Sequence, residues 1–204
     1  MDFKFIAHHL ISGCIPMTAA WILYSVILRL IGKERAAGHM IASFVFCMYL
    51  IGVLTVTGIC IRGSFSPRIV YIPFVDMIRG PVDTALNILL FVPLGFFLPI
   101  LFAKYDKLGT IALAGFLLSL SVELIQMFGF GATDINDLMT NTAGACLGYG
   151  IYKLLRPLLP ESRMKQIRAE GIASSVELPL FWSCAILLML AIQPQLCRAL
   201  FTAG

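Results

Sequence analysis

Long apolar runs follow one another along this chain, separated by short polar connections. That succession constrains the fold more than any other feature. In hydrocarbon every backbone polar group must be satisfied internally, so only helices and closed barrels can span. A crossing helix needs about 20 mostly apolar residues. The runs are continuous and do not alternate over ~10-residue segments, which argues against a barrel. The expected fold is therefore all-α, a polytopic transmembrane helical bundle with five to six spans. Composition agrees: 13% of the 204 residues are charged, against roughly 25% in an average soluble domain.

The spans are expected near residues 10–31, 40–61, 81–102, 110–128, 135–155 and 179–200. They organise as an N-terminal two-span segment with an outer loop (1–69), a three-span core (70–155), and a cytoplasmic linker with a C-terminal span (156–204). The start, MDFKFIAHHL, lacks a basic n-region and a small-residue cleavage site, so the first run reads as a retained span. Pro16 in the first span, and Pro93 with Gly95 in the third, read as kinks. Pro67, Pro73 and Pro81 forbid a long helix before the third span, leaving a short interfacial or re-entrant element with Tyr71 and Phe74 at headgroup level. Gly115 with Ser119, and Gly144 with Gly148, have the small-xxx-small spacing that lets helices approach closely. The polar stretch after Arg156 reads as a short surface helix.

Lysine and arginine set orientation. Arg29, Lys33, Arg35, Lys104, Lys107, Lys153, Arg156, Arg163, Lys165 and Arg168 fall on the side of the odd-numbered loops. Lys4, Arg62, Arg68, Arg79 and Arg198 fall on the other. The richer side is cytoplasmic, so six spans put both termini outside the cell. A first run that did not insert would put the N-terminus inside and leave the later loops unchanged.

No basic patch interleaved with exposed aromatics marks a nucleic-acid binder. The six cysteines include no CxxC pair and read as small buried hydrophobes, with a Cys60–Cys197 disulfide as the remote alternative. His8, His9 and His39 lie at span edges and form no metal-ligand pattern. No cofactor or metal is expected.

One stretch breaks the apolar pattern: ELIQMFGFGATDINDLMTNTAGACLG, residues 123–148. It reads as helix, tight polar turn, helix. Glu123 and Gln126 share one helix face, as do Asp134, Asp137 and Asn141. In the predicted orientation these groups, with Asn87 of the third span, all fall in the outer third of the membrane. Such residues are costly in hydrocarbon, about 2.5–3.5 kcal/mol for a central aspartate on insertion scales, and normally face the bundle interior or a water-filled cavity. A structural reading stands beside the functional one. Asn87, Gln126 and Asn141 can hold helices together, and Asp134 and Asp137 can cap a helix or complement its dipole. Glu123 is harder to explain structurally. It requires either a proton or a cationic partner, for which Arg62, Arg68 and Arg79 lie on the same side.

The segments NILLFVPLGFFLP, ELIQ and DINDLMTNTAGACLGYG, preceded by YIPF, together resemble the VanZ-like family. The resemblance covers roughly residues 70–155. It implies Asn87, Glu123, Gln126, Asp134, Asp137 and Asn141 as the matching polar positions. The namesake accompanies vancomycin-resistance genes and is associated with low-level resistance to teicoplanin, and the family has no settled biochemical activity. Many members carry an arginine three residues before the first aspartate of the turn, where this chain has Gly131.

The resulting expectation is an integral protein of the bacterial cytoplasmic membrane that contributes to glycopeptide resistance or cell-envelope homeostasis. Its outer-leaflet polar pocket, rimmed by Arg62, Arg68 and Arg79, would hold a cell-wall lipid precursor or a lipoglycopeptide. The alternatives are a membrane enzyme or a small transporter acting on a lipid-linked phosphate. Against an enzyme stand the lack of a His–Asp pair and of an activated serine or cysteine. A purely structural role for the polar groups is the remaining reading.

Overall fold

A computed structural model describes residues 3–59, 69–70, 80–128 and 133–201. Helices α1 (Phe3–Leu30) and α2 (Ala37–Val56) come first, then α3 (Pro81–Leu101), α4 (Leu108–Gln126) and α5 (Ile135–Leu155). A short α6 (Glu161–Ile167), then α7 (Ala173–Ala191) and α8 (Gln193–Phe201), complete the chain. Two-residue strands β1 (Ile69–Val70) and β2 (Thr133–Asp134) pair in parallel, Ile69 opposite Thr133. Among the described residues, α1, α2, α3, α4 and α7 are long and apolar enough to cross a membrane. The all-α multi-span expectation therefore holds.

The helices pack as two compact units, Met1–Ile61 with Ser175–Gly204, and Arg62–Ser174. In the first unit α1 and α2 form a hairpin. Gly32, at φ 66°, ends α1 in a left-handed cap: the Lys33 N–H reaches the Leu28 carbonyl and the Gly32 N–H the Arg29 carbonyl, the two bonds of a Schellman motif. Gly58, at φ 75°, ends α2 the same way, with Ile59 bonded to Leu54. The core holds Met17, Phe46, Leu50, Leu54, Ala185 and Met189.

The final span differs from its expected bounds. Pro179 lies inside α7 and does not begin it, and α7 stops at Ala191. Pro194, which has no N–H and crowds the preceding turn, forbids continuation. It is tolerated in the first turn of α8. Buried Gln193 ties α8 to α1 through the His9 ring nitrogen, 2.5 Å away.

The second unit is a three-helix core. α3 is one helix with Pro93 and Pro99 inside it. Gly95 has a packing purpose besides: a Cβ there would lie 1.8 Å from the Ala145 carbonyl oxygen of α5. Gly144 and Gly148 press equally hard on the Ile88 and Val92 carbonyls of α3. Side chains are thus excluded from both surfaces, and the backbones pack directly.

α4 and α5 are antiparallel. Gly115 faces Ala145, and Ser119 meets Asn141. α5 falls short of the apolarity of the other long helices, yet its 21 residues run alongside α4. Its polar groups Asn136, Thr140 and Asn141 are buried within the bundle.

At the end of this unit opposite the α4–α5 turn, Asp106 gathers Lys153 (2.8 Å), Arg168 (3.3 Å), and the hydroxyls of Tyr152 (3.3 Å) and Tyr149 (3.5 Å). Burial by itself would raise the Asp106 carboxyl. The Lys153 hydrogen bond and charge, the Arg168 charge and the Tyr152 hydroxyl outweigh burial and hold the group below its usual range.

Candidate functional site

The polar residues of α3, α4 and α5 meet at the end of the second unit that carries the α4–α5 turn. Local sequence places them there. Asp134 is extended (φ −120°, ψ 122°) and caps α5, its carboxylate accepting from the Asn136 backbone N–H and side-chain amide, both at 2.8 Å. An aspartate suits this position because it satisfies an N–H that the first helical turn leaves unpaired.

Glu123 lies in the last turn of α4 and is only 1% exposed. Its Oε2 accepts the Asp134 backbone N–H at 2.9 Å. The carboxyl therefore sits against the N-terminal end of α5, where unpaired N–H groups and the helix dipole favour negative charge. The sequence expectation was a proton or a cationic side chain, and the candidate arginines lie outside the described residues. Among the described residues a backbone donor at a helix terminus meets the carboxyl.

Asp137, in the first turn of α5 and half-buried, accepts the Asn87 amide of α3 at 2.6 Å. A bond this short is typical of a charge-assisted pair. One turn deeper, the Asn141 amide donates to Ser119 of α4 at 3.0 Å. Asn141 is 4% exposed, and its carbonyl Oδ1 accepts no hydrogen bond among the described residues. Leaving such an acceptor buried costs roughly 1–3 kcal/mol. The site thus has two layers: Asn87–Asp137 with Glu123–Asp134 above, and Ser119–Asn141 below.

Of the residues singled out from sequence, Asn87, Glu123, Asp134, Asp137 and Asn141 come together in these layers. Gln126 is half-buried on the same end of α4, three residues beyond Glu123. Arg62, Arg68, Arg79, Tyr71, Phe74, Cys60 and Gly131 lie outside the described residues. Cys14, Cys47, Cys146, Cys184 and Cys197 are free thiols. No group of three or more His, Cys, Asp or Glu able to hold a metal occurs among the described residues. Chemically, the site offers carboxyls, primary amides and one hydroxyl. That set can exchange protons and bind polar donors and acceptors.

Sequence reasoning missed Ser119, read only as a small packing residue, and Asn136, passed over between two aspartates. It also missed a second network, in the first unit. Buried Glu177 of α7 accepts Tyr24 Oη at 2.9 Å, Arg35 Nε at 3.0 Å and pairs with buried His39 Nε2 at 2.8 Å. The available signal was a lone acid entering an apolar run.

The comparisons with known proteins fall on this region. The chain is similar to Protein VanZ of Enterococcus faecium, 35% identical over 82 residues, which is 40% of this chain and 50% of that protein. The chain thus aligns with about half the length of this curated relative. No solved structure matches it. The family model for VanZ/LLP1 matches residues 40–156. That match includes α3, α4, α5 and every described residue of the two polar layers. A multi-pass membrane chain whose α3–α5 polar cluster falls entirely inside the matched segment, which spans more than half of its length, belongs to the VanZ/LLP1 family.

Proposed function

We propose that this protein acts in the bacterial cell envelope and lowers susceptibility to teicoplanin-type glycopeptides through a polar pocket in the outer leaflet. The observation that carries the reading is the convergence of α3, α4 and α5 on one buried cluster, with Glu123 almost fully enclosed and the Asn141 carbonyl unsatisfied. A membrane bundle held only by packing needs neither. Such groups mark binding or transport sites in membrane interiors by default. The similarity to Protein VanZ supports the resistance context.

In this reading the α4–α5 turn faces outward, as the lysine and arginine asymmetry indicates. The ligand is a cell-wall lipid precursor or a lipoglycopeptide. Arg62, Arg68 and Arg79 would meet its phosphate or carboxylate, and the carboxyls of Glu123 and Asp137 would take an amine or amide N–H. The Asn141 carbonyl is available to a ligand or to a water that links one to the site.

The test is susceptibility of a glycopeptide-sensitive host carrying the chain, its Glu123→Gln variant or its Asp137→Asn variant. Glutamine can still accept the Asp134 N–H, so the fold is expected to persist. The intact chain should raise the inhibitory concentration of teicoplanin and its lipoglycopeptide relatives, and both variants, at equal membrane abundance, should lose the effect. An intact chain that leaves every inhibitory concentration unchanged would remove the resistance reading. Full resistance in the double variant would reduce the polar cluster to a structural element.

A further inference from the structure

The first unit contains an apolar groove of about 230 Å³ on the flank of α1. Its walls include Met17, Trp21, Tyr24 and Ile27 of α1, Cys47 of α2 and Cys184 of α7. The hydrogen-bonding groups of its two polar aromatics are committed elsewhere, the Tyr24 hydroxyl to Glu177 and the Trp21 N–H to Ser43. The groove follows α1 from Met17 to Ile27, which at 1.5 Å per residue is about 15 Å. That is half of the ~30 Å hydrocarbon core, the depth of one leaflet.

The two ends of the groove differ. Around Met17 the walls are core: Gly13 lets Met189 and Ile51 close against α1. Beyond Ile27 the chain enters the loop holding Arg29, Lys33, Glu34 and Arg35. A second pocket of about 90 Å³, lined by Ser25, Arg29, Glu34 and Arg35, begins next to Tyr24 along α1. Arg29 and Arg35 bind Glu34 and Glu177 through Nε, at 3.1 and 3.0 Å. Arg35 is also hydrogen-bonded to Tyr24, whereas the terminal NH₂ groups of the exposed Arg29 are left over for another acceptor. Lys33 is exposed and makes no ion pair among the described residues.

We propose that this groove is a binding site for one acyl chain of an anionic phospholipid, taken from the leaflet on the side of the α1–α2 loop. Three features select this occupant. The lining rewards only apolar contact, the length matches one leaflet, and the polar end presents surplus positive charge where a phosphate would lie. The Arg29 guanidinium fork gives that phosphate bidentate donors, with Lys33 beside it. This site is separate from the polar cluster of α3–α5 and does not depend on the function proposed for it.

Trp21 lines the groove and provides the readout. The chain has two tryptophans, so the full-length Trp182→Phe variant makes its fluorescence specific. The protein is placed in nanodiscs of phosphatidylcholine containing a small fraction of phosphatidylglycerol or phosphatidylcholine brominated on the acyl chain. Brominated phosphatidylglycerol should quench Trp21 at about fivefold lower mole fraction, the preference expected for one basic residue near the surface. Ala20→Phe, which fills the groove, should abolish quenching by both lipids at low fraction. Lys33→Gln, at an exposed position that cannot unfold the protein, should narrow the preference and leave the groove accessible. Equal quenching by the two lipids would identify ordinary boundary lipid and overturn the proposal. Absence of quenching by either, with cross-linking of Cys184 between two chains, would place a second copy in the groove and overturn it equally.

Discussion

Replacing Gly148 by alanine tests the packing on which the polar site rests. A Cβ at this position would lie 1.9 Å from the Val92 carbonyl oxygen, 2.9 Å from its carbon and 3.0 Å from the Phe96 nitrogen, whereas real Cβ contacts essentially never fall under 3.0 Å. All three atoms are backbone, so no rotamer change relieves the clash. α3 and α5 must move apart by about 1 Å or shear along each other. Inserting a methylene into a packed core typically costs about 1–3 kcal/mol, and a gap of this size forfeits roughly a quarter to a half of each contact it opens. With backbone on one side and a helix on the other, the upper end of that range applies. For a chain of this length, ~3 kcal/mol corresponds to a Tm lower by roughly 6–12 °C. The Asn87–Asp137 hydrogen bond, 2.6 Å in the native packing, should open as well. Gly150→Ala is the control: nothing lies within 4 Å of a Cβ there, and alanine in a helix gains ~0.5–1 kcal/mol over glycine. The assay is thermal unfolding of both full-length variants in detergent and in nanodiscs, followed by circular dichroism and by solubility after heating. A Gly148→Ala protein as stable as the Gly150→Ala protein would refute direct backbone packing between α3 and α5.

Glu177→Leu should destabilise the first unit by about 3–5 kcal/mol, because it leaves Arg35 and buried His39 without their carboxylate; Glu177→Gln should cost less, and heat-induced loss of solubility ranks the two. The pH dependence of stability should carry an acid limb from Asp106. Its carboxyl is held below its usual value in the folded state, so the stabilisation is complete above the unfolded value near 3.9 and is lost as pH falls through the depressed one. Asp106→Asn should flatten that limb, which thermal melts between pH 3 and 7 would show. Glu123→Leu should strand the Asp134 N–H and cost roughly 1–3 kcal/mol. Glu123→Gln should unfold close to the wild-type temperature, and a Gln variant as damaged as the Leu variant would contradict the hydrogen-bond assignment.

The fold class, and with it most of the spans, could be read from hydropathy because burial of backbone polar groups in hydrocarbon leaves helices as the solution for continuous apolar runs. The pairing of Gly144 with Gly148 was legible for the same local reason: spacing of four residues puts both on one helix face. So was the recurrence of acids and amides in residues 123–148, since groups so costly in a membrane attract notice wherever they occur. The close-packing role of Gly95 was not legible, because only the facing helix shows that a Cβ there would come within 1.8 Å of the Ala145 carbonyl oxygen. Span six was placed too late, because a proline fits both the start and the second turn of a helix.

The sequence by itself determined that the chain crosses a membrane as helices and that one set of costly polar groups recurs between Asn87 and Asn141. Those properties depend on local composition and on periodicity along one helix. Only the tertiary structure decided the partners: Glu123 on the N-terminal backbone of α5, Asn87 on Asp137, Ser119 on Asn141, and Glu177 on three groups over 130 residues away in the chain. A hydrogen bond between helices depends on their register and crossing, and no spacing within either helix encodes these. That is why Glu123 could be marked from sequence as needing a proton or a partner, while the N–H that meets it could not.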